Sequence, residues 1–69
     1  MDIYAKPGTK VFYTGRDGLK HDHDKIQKQG INVGDILTVN RVDVFDWYSY
    51  VYFEEIPGDY NTVIFGDFT

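Results

Sequence analysis

The sequence contains no cysteine, which excludes a disulfide framework and a thiolate zinc site. It also lacks long apolar runs: the longest, Tyr50 to Phe53, is far shorter than the roughly 20 residues that a membrane-spanning helix needs. The opening Met1-Asp2 has none of the basic and apolar character of a signal segment. We therefore expect a soluble protein of the reducing cytoplasm that does not enter a membrane.

The length of the chain limits it to one domain. Folding of a chain as short as 69 residues buries only about 60% of the surface that the unfolded chain exposes. Without disulfides, the core must come from the hydrophobic side chains, which make up 42% of the residues. We expect residues 1–69 to form a single domain of modest stability.

Charge is unevenly distributed along the chain, whose net charge is -4. Residues 1–34 contain six Lys and Arg against four Asp, whereas residues 35–69 contain one Arg against seven Asp and Glu. A protein that binds duplex nucleic acid needs a basic face to neutralise phosphates. The acidic second half instead favours a basic partner, or serves only to keep a small barrel in solution.

Residue types suited to pleated strands occur in four segments, which Gly, Pro and Asp turns separate. These segments are TKVFYTG at 9–15, ILTVNRVDVF at 36–45, DWYSYVYFEE at 46–55 and TVIFGDF at 62–68. Four or five short strands joined in this way predict a small antiparallel barrel that closes to hide its edges.

The segment between the first two strands is polar and predicts a short helix. Asp24 is a suitable N-cap with Gln27 three residues later, and Gly30 is a suitable C-cap. Ile26 is the single apolar residue between Lys20 and Gly30. Because the segment has no apolar stripe, we expect the helix to lie over a loop.

The order of these motifs resembles that of Src homology 3 (SH3-like) barrels. In that family a first strand with a tyrosine and a long loop precede segments similar to VGDILTV, DWYSYVYF and TVIFGDF. The resemblance implies a small SH3-like antiparallel β-barrel of four to five strands, with a short helix in the long loop after strand one. It also implies that Tyr13 and Trp47 match two aromatic residues of the family's groove for proline-rich peptides.

Three other positions of that groove differ in this chain. Gly15 stands where the family has a second tyrosine, Phe65 lies near the proline position, and Phe68 lies near a late tyrosine. Polyproline recognition requires an unbroken row of aromatic ridges. We therefore do not expect this chain to bind proline-rich ligands.

A second resemblance concerns origin. The segments KVFYTGRDG, VGDILTV, DWYSYVYFEEIPG and YNTVIF are similar to those of small uncharacterised proteins of bacteria and their phages. This implies a stand-alone domain of bacterial or phage origin, and it implies no particular activity.

The sequence HDHD at 21–24 contains two side-chain types that bind metals. In a helix or a loop, however, His21 and His23 point in different directions, and no third ligand lies close in sequence. An exposed helix start with a capping residue is the stronger interpretation. His21 and His23 are therefore only weak metal candidates, and we expect no metal.

The residues that could support catalysis are poorly placed for it. Glu54 and Glu55 are adjacent, so in a strand they point to opposite faces and cannot form a facing carboxylate pair. Ser49, the only serine, has no nucleophile-elbow pattern around it, and GRDG at 15–18 lacks the ending of a phosphate-binding loop. We expect no enzyme activity, no catalytic residue and no cofactor.

The segment DWYSYVYFEE carries aromatic or apolar side chains on both faces if it is extended. We assign Val51 and Phe53 to the core, with Trp47 on the same face at the rim. The residues expected to pack with them on neighbouring strands are Leu37, Val39, Val63 and Phe65.

The opposite face of this strand would then carry Tyr48, Tyr50 and Tyr52. Two alternatives remain open: the tyrosines pack under the loop at 16–33, or a bulge near Ser49 turns them inward. If they face outward, they form a tyrosine row of the kind enriched in protein interfaces.

We therefore predict a non-enzymatic protein-binding module whose partner is a host or bacterial protein with a basic patch. A phage-encoded version would modulate or inhibit that host protein. The predicted binding residues are Tyr48, Tyr50, Tyr52, Trp47, Tyr13, Asp43, Asp46 and Glu54.

The alternative function is binding of single-stranded nucleic acid. The tyrosines and Trp47 would stack on bases, and basic side chains would contact the phosphate backbone. These basic residues are Lys10, Arg16, Lys20, Lys25 and Lys28. The acidic strand that carries the tyrosines makes nucleic acid the less favoured partner.

Overall fold

A computed structural model describes residues 1–68 and contains, as predicted, several short β-strands and one short helix. In chain order the elements are β1 (Lys10–Tyr13), α1 (Lys20–Gln27), β2 (Ile36–Val44), β3 (Ser49–Phe53), β4 (Asp59–Asn61), a 3₁₀ turn (Thr62–Ile64) and β5 (Phe65–Asp67). The domain is mainly β, as predicted.

The five strands form one antiparallel sheet in the order β4-β3-β2-β1-β5. Strand β2 is the longest and pairs with β3 along one part of its length and with β1 along another. Within residues 1–68, β4 and β5 are the two edges of the sheet and do not pair with each other. The sheet is therefore open, and the predicted barrel closure is not confirmed.

Other segments meet both edges of the sheet. Helix α1 lies against β4, where the Lys25 ammonium is 2.7 Å from Oδ1 of Asp59. At the other edge the N-terminal ammonium of Met1 donates to the carbonyl of Phe65 at 2.8 Å. Coverage of this kind protects edge strands that would otherwise offer unpaired backbone groups.

A β-bulge in β2 sets the two faces of the central hairpin. The register between β2 and β3 shifts between Val39 and Arg41, which leaves Asn40 as the extra residue. Val39 pairs with Phe53 on the inner face, and Arg41 pairs with Tyr52 on the outer face. Ser49 pairs regularly with Val44, so the alternative of a bulge near Ser49 is wrong, and β3 keeps the predicted faces.

The core contains the predicted inward residues of β2 and β3 and one residue of the helix. Val51, Phe53, Leu37 and Val39 are all buried, as predicted, and Ile26 of α1 is fully buried beside them. The remaining buried hydrophobic residues are Val11, Tyr13, Tyr60, Ile64 and Phe65.

The prediction was wrong for the start of the last strand. Val63 is 47% exposed, whereas its neighbour Ile64 is fully buried. Residues 62–64 form a 3₁₀ turn, which has three residues per turn and therefore does not continue the two-residue alternation of a strand. The 59–61 segment, predicted as part of a turn, forms β4 instead.

The prediction of Asp24 as the N-cap was wrong, because the N-cap of α1 is Leu19 and the helix begins at Lys20. Oδ2 of Asp22 accepts hydrogen bonds from the backbone N–H of Leu19 at 2.9 Å and from the amide of Asn61 at 3.4 Å. Asp22 therefore caps the helix start and also ties it to the end of β4. Among residues 1–68 there is no helix of the length and hydropathy required to cross a membrane.

Candidate functional site

The β2–β3 hairpin presents its aromatic side chains on the outer side of the sheet. Tyr50 pairs with Asp43 and Tyr52 with Arg41, so these four side chains share one face. Just beyond the paired residues, Phe45 and Tyr48 continue the same face toward the hairpin tip. We call the surface formed by Phe45, Tyr48, Tyr50 and Tyr52 the tyrosine face.

Three rings of the tyrosine face contact one another. The ring centroids of Phe45 and Tyr48 are 5.1 Å apart, and those of Tyr48 and Tyr50 are 5.3 Å apart at an interplanar angle of 62°. Tilted and edge-on arrangements at these distances are the favoured geometries of aromatic pairs. Tyr48 is half exposed, and Tyr50 is partly buried beneath its neighbours.

Arg41 covers the fourth ring. Its guanidinium carbon lies 4.2 Å from the ring centroid of Tyr52, and Nη2 is 3.5 Å from Oδ2 of Asp43. The close contact with Tyr52 and the charge of Asp43 raise the pKa of Arg41 above its already high ordinary value. One face of the Tyr52 ring is therefore covered by a cation from the same sheet.

Trp47 lies at the tip of the hairpin and not in the strand. Strand β3 begins at Ser49, and Asp46 and Trp47 form the bend that precedes it. The alternation that placed Trp47 beside Val51 therefore does not extend to it, and the side chain is 93% exposed. A hollow of about 240 Å³ beside the tip is lined by Ile3, Val44, Phe45, Asp46, Trp47, Tyr48 and Ser49.

Tyr13, which the resemblance assigned to a surface groove, is fully buried. Its hydroxyl is 2.6 Å from Nδ1 of His23 and accepts from the Gln27 amide at 3.1 Å. Val11 and Tyr13 are two residues apart in β1 and both point into the core. Tyr13 therefore cannot line a groove with Trp47, and the prediction of Tyr13 as a binding residue is corrected on this ground.

The two histidines of HDHD have different surroundings. His23 points toward Tyr13, whereas His21 is exposed, with Nε2 3.4 Å from Oδ1 of Asp22. In the part of the chain that the structure describes, no group of three His, Asp or Glu side chains is placed to hold a metal ion.

The acidic residues predicted for binding surround the tyrosine face unequally. Asp46 and Glu54 are exposed, and Asp43 is partly buried beside Arg41. Glu55, next to Glu54, instead accepts hydrogen bonds from the Thr38 N–H at 2.8 Å and the Thr38 hydroxyl at 2.7 Å. Of the adjacent pair, Glu54 is therefore the one available to a partner.

Helix α1 borders the tyrosine face on one side. A cavity of about 200 Å³ between the helix and β4 is lined by His21, Asp22, Lys25, Tyr50, Asp59, Tyr60 and Asn61. The hydrogen bond from Lys25 lowers the pKa of Asp59, against a smaller opposing effect of burial. Of the three tyrosines, Tyr50 borders this cavity, and Tyr48 and Tyr52 do not. The alternative in which the loop at 16–33 packs over the tyrosines therefore applies to Tyr50 alone.

Phe45 is the residue of this face that the sequence analysis missed. It precedes Trp47 by two residues and follows Asp43 by two, so the alternation of β2 places it on the outer face. The two-residue alternation from Asp43 is therefore the sequence signal that identifies Phe45.

A family model described as Bacteriophage T4 protein Y07B matches residues 2–69 of the chain. No curated protein and no solved structure shows a significant match.

Proposed function

The chain belongs to the bacteriophage T4 protein Y07B family, and from this premise we propose that it is a non-enzymatic module that binds a host protein. The observation that carries the proposal is the exposed aromatic surface of the β2–β3 hairpin. Tyr48 and Phe45 are each 50% exposed, and Trp47 beside them is 93% exposed. Adjacent exposed aromatic side chains of this kind mark interaction sites in small proteins.

Charge supports a basic patch on the partner. Asp46 and Glu54 are exposed beside the tyrosine face, and residues 35–69 carry seven acidic side chains against Arg41. Arg41 is itself held by Tyr52 and Asp43. The resulting negative field would speed association with a partner rich in Lys or Arg and disfavour acidic surfaces. A phosphate-binding surface of a host protein is one such partner.

Binding of single-stranded nucleic acid is the weaker alternative. The exposed rings could stack on bases. However, Lys20 is 3.8 Å from Asp24 and Lys25 is 2.7 Å from Asp59, so two of the five predicted basic contacts already face carboxylates. Repulsion between phosphates and the acidic residues beside the rings would further weaken binding.

The proposal includes the finer fold assignment. An SH3-like relationship is supported by the antiparallel five-stranded sheet and by the long segment with a helix between β1 and β2. It predicts that a solved relative will superimpose on β1 to β5 in the same order.

Affinity capture from a host lysate tests the proposed function. Wild-type protein is expected to retain a host protein that a Tyr48/Tyr50/Tyr52 triple alanine variant does not retain. Tyr4→Ala is the matched control, because Tyr4 is 77% exposed and does not belong to the tyrosine face. Circular dichroism must show that the triple variant is folded, since Tyr50 and Tyr52 are partly buried. Equal capture by all three proteins would contradict the proposal, and tight binding of mixed single-stranded oligonucleotides would favour the alternative.

A further inference from the structure

The tip of the β2–β3 hairpin is more exposed than the tyrosine face behind it. Trp47 is 93% exposed, and its neighbours Val44, Phe45 and Tyr48 are 46%, 50% and 50% exposed. In contrast, Tyr50 is partly buried under Tyr48, and the ring of Tyr52 is covered by Arg41. The apolar surface available to a partner is therefore concentrated at the tip.

The tip is held in place before any partner binds. The β2–β3 pairing continues to Val44 and Ser49, and the Phe45 N–H donates to the Tyr48 carbonyl at 2.8 Å. The Ser49 hydroxyl is 2.6 Å from the Thr62 hydroxyl, which links the base of the tip to the 3₁₀ turn. A preorganised hairpin loses little conformational entropy on binding, so more of the contact energy appears as affinity.

Acidic side chains accompany the exposed indole. Asp46 precedes Trp47 in the bend and is exposed, whereas Asp43, farther back on the outer face, is paired with Arg41. Two copies of this tip would repel each other, and an anionic lipid surface would repel it as well. A protein surface with basic side chains around an apolar depression is complementary to both the indole and the carboxylates.

We infer that Trp47 is the anchor of the interface and inserts into an apolar pocket of the partner protein, with Lys or Arg side chains at the rim of that pocket. This inference rests on the proposed function and narrows it to one residue and one kind of pocket. Tryptophan is enriched among the residues that dominate binding energy at interfaces, and such residues fill desolvated pockets. Phe45 and Tyr48 then support the indole and exclude water around it.

Trp47 also provides the test, because it is the only tryptophan in the chain. Protein labelled with fluorotryptophan gives one fluorine NMR resonance, which reports on this side chain alone. On addition of the purified host protein recovered by capture, we expect this resonance to shift or broaden. Trp47→Ala should weaken binding by at least ~30-fold, the size typical of an anchor residue, whereas Tyr4→Ala should leave it unchanged. Asp46→Lys should slow association and reduce its dependence on salt.

The outcomes separate this inference from the proposed function. If wild-type protein captures no host protein, both fail. If Trp47→Ala binds as tightly as wild type and the fluorine resonance does not move, the anchor is wrong while the protein-binding function stands. If the resonance shifts when the protein alone is concentrated, the tip binds a second copy of the chain. If it shifts when vesicles of neutral phospholipid are added, the tip binds a membrane. Either result would overturn the inference.

Discussion

The hydroxyl of Tyr13 lies 2.6 Å from Nδ1 of His23, between the first strand and the helix. The other ring nitrogen of His23 faces the carbonyl of Asp17, which can only accept a hydrogen bond. A neutral His23 therefore carries its proton on Nε2, and the Tyr13 hydroxyl donates to Nδ1. The Gln27 amide donates to the same hydroxyl. Through these two hydrogen bonds, the buried Tyr13 of β1 holds His23 and Gln27 of α1 against the strand.

Tyr13→Phe should therefore destabilise the protein. The change leaves Nδ1 of His23 and the Gln27 amide without their shared partner. Because these hydrogen bonds are only partly buried, we expect their loss to cost about 0.5–1.5 kcal/mol of the free energy of unfolding. Urea denaturation followed by circular dichroism measures it. Tyr4→Phe, at a position that is 77% exposed, is the control and should have no effect. Equal stability of the two variants would show that the hydroxyl contributes nothing.

Gly18→Ala is predicted to destabilise the loop that leads into α1. Gly18 has a φ of +67°, and a Cβ there would lie 2.8 Å from Cγ2 of Ile64, a buried core atom. We expect a loss of at least ~1 kcal/mol, since backbone strain and a steric contact add. Gly30→Ala separates the two causes, because Gly30 has a φ of +80° but open space where the Cβ would be. If both variants lose the same stability, the contact with Ile64 is unimportant.

Ile26→Ala should detach the helix from the core. Ile26 is fully buried, and it is the apolar residue through which α1 enters the core. Truncation of a buried Ile to Ala costs about 2–5 kcal/mol, a large share of the stability of a small domain. Hydrogen exchange should show the α1 amides losing protection before those of β2 and β3. The exposed Val33, changed to Ala, provides the comparison. If the α1 amides of the Ile26 variant keep their protection from exchange, the contacts of Asp22 and Lys25 with β4 are sufficient to hold the helix in place.

Glu55 should make stability depend on pH in the acidic range. Burial opposes ionisation of this carboxyl, but hydrogen bonds from the N–H and hydroxyl of Thr38 outweigh it and lower the pKa of Glu55. A carboxylate with a lowered pKa contributes stability above its ordinary value of 4.5 and loses that contribution as the pH falls through the folded-state value. Glu55→Gln should therefore reduce the free energy of unfolding at neutral pH and flatten its decrease at acidic pH.

The control for this change is Glu54→Gln. Both glutamates are exposed, but within residues 1–68 the Glu54 carboxylate accepts no hydrogen bond from another side chain or from the backbone, whereas Glu55 accepts two from Thr38. Chemical denaturation at several values between about pH 3 and pH 7 covers the range in which a carboxyl group titrates. Identical pH profiles of the Glu55 variant and wild type would contradict the assignment of the Thr38 hydrogen bonds.

The pattern of residue types along the chain predicts which segments form β-strands and which residues of the central strand share a face. Both faces of SYVYF are apolar or aromatic, so alternation defines the two faces, and the apolar Leu37 and Val39 of the neighbouring strand favour Val51 and Phe53 as the inward pair. The same rule applied to KVFY would have placed Tyr13 inward beside Val11. There the resemblance to a groove-bearing family led to the wrong assignment.

The positions at which this alternation stops depend on contacts that form when the chain folds. Trp47 became a hairpin tip because β2 pairs with β3 as far as Val44 and Ser49, and Val63 became exposed because residues 62–64 close a 3₁₀ turn. The helix start depends in turn on a contact of Asp22 with Asn61, 39 residues away. Strand ends, bulges and caps are fixed by partners distant in sequence, so a local pattern predicts which residues can pair but not where the pairing ends.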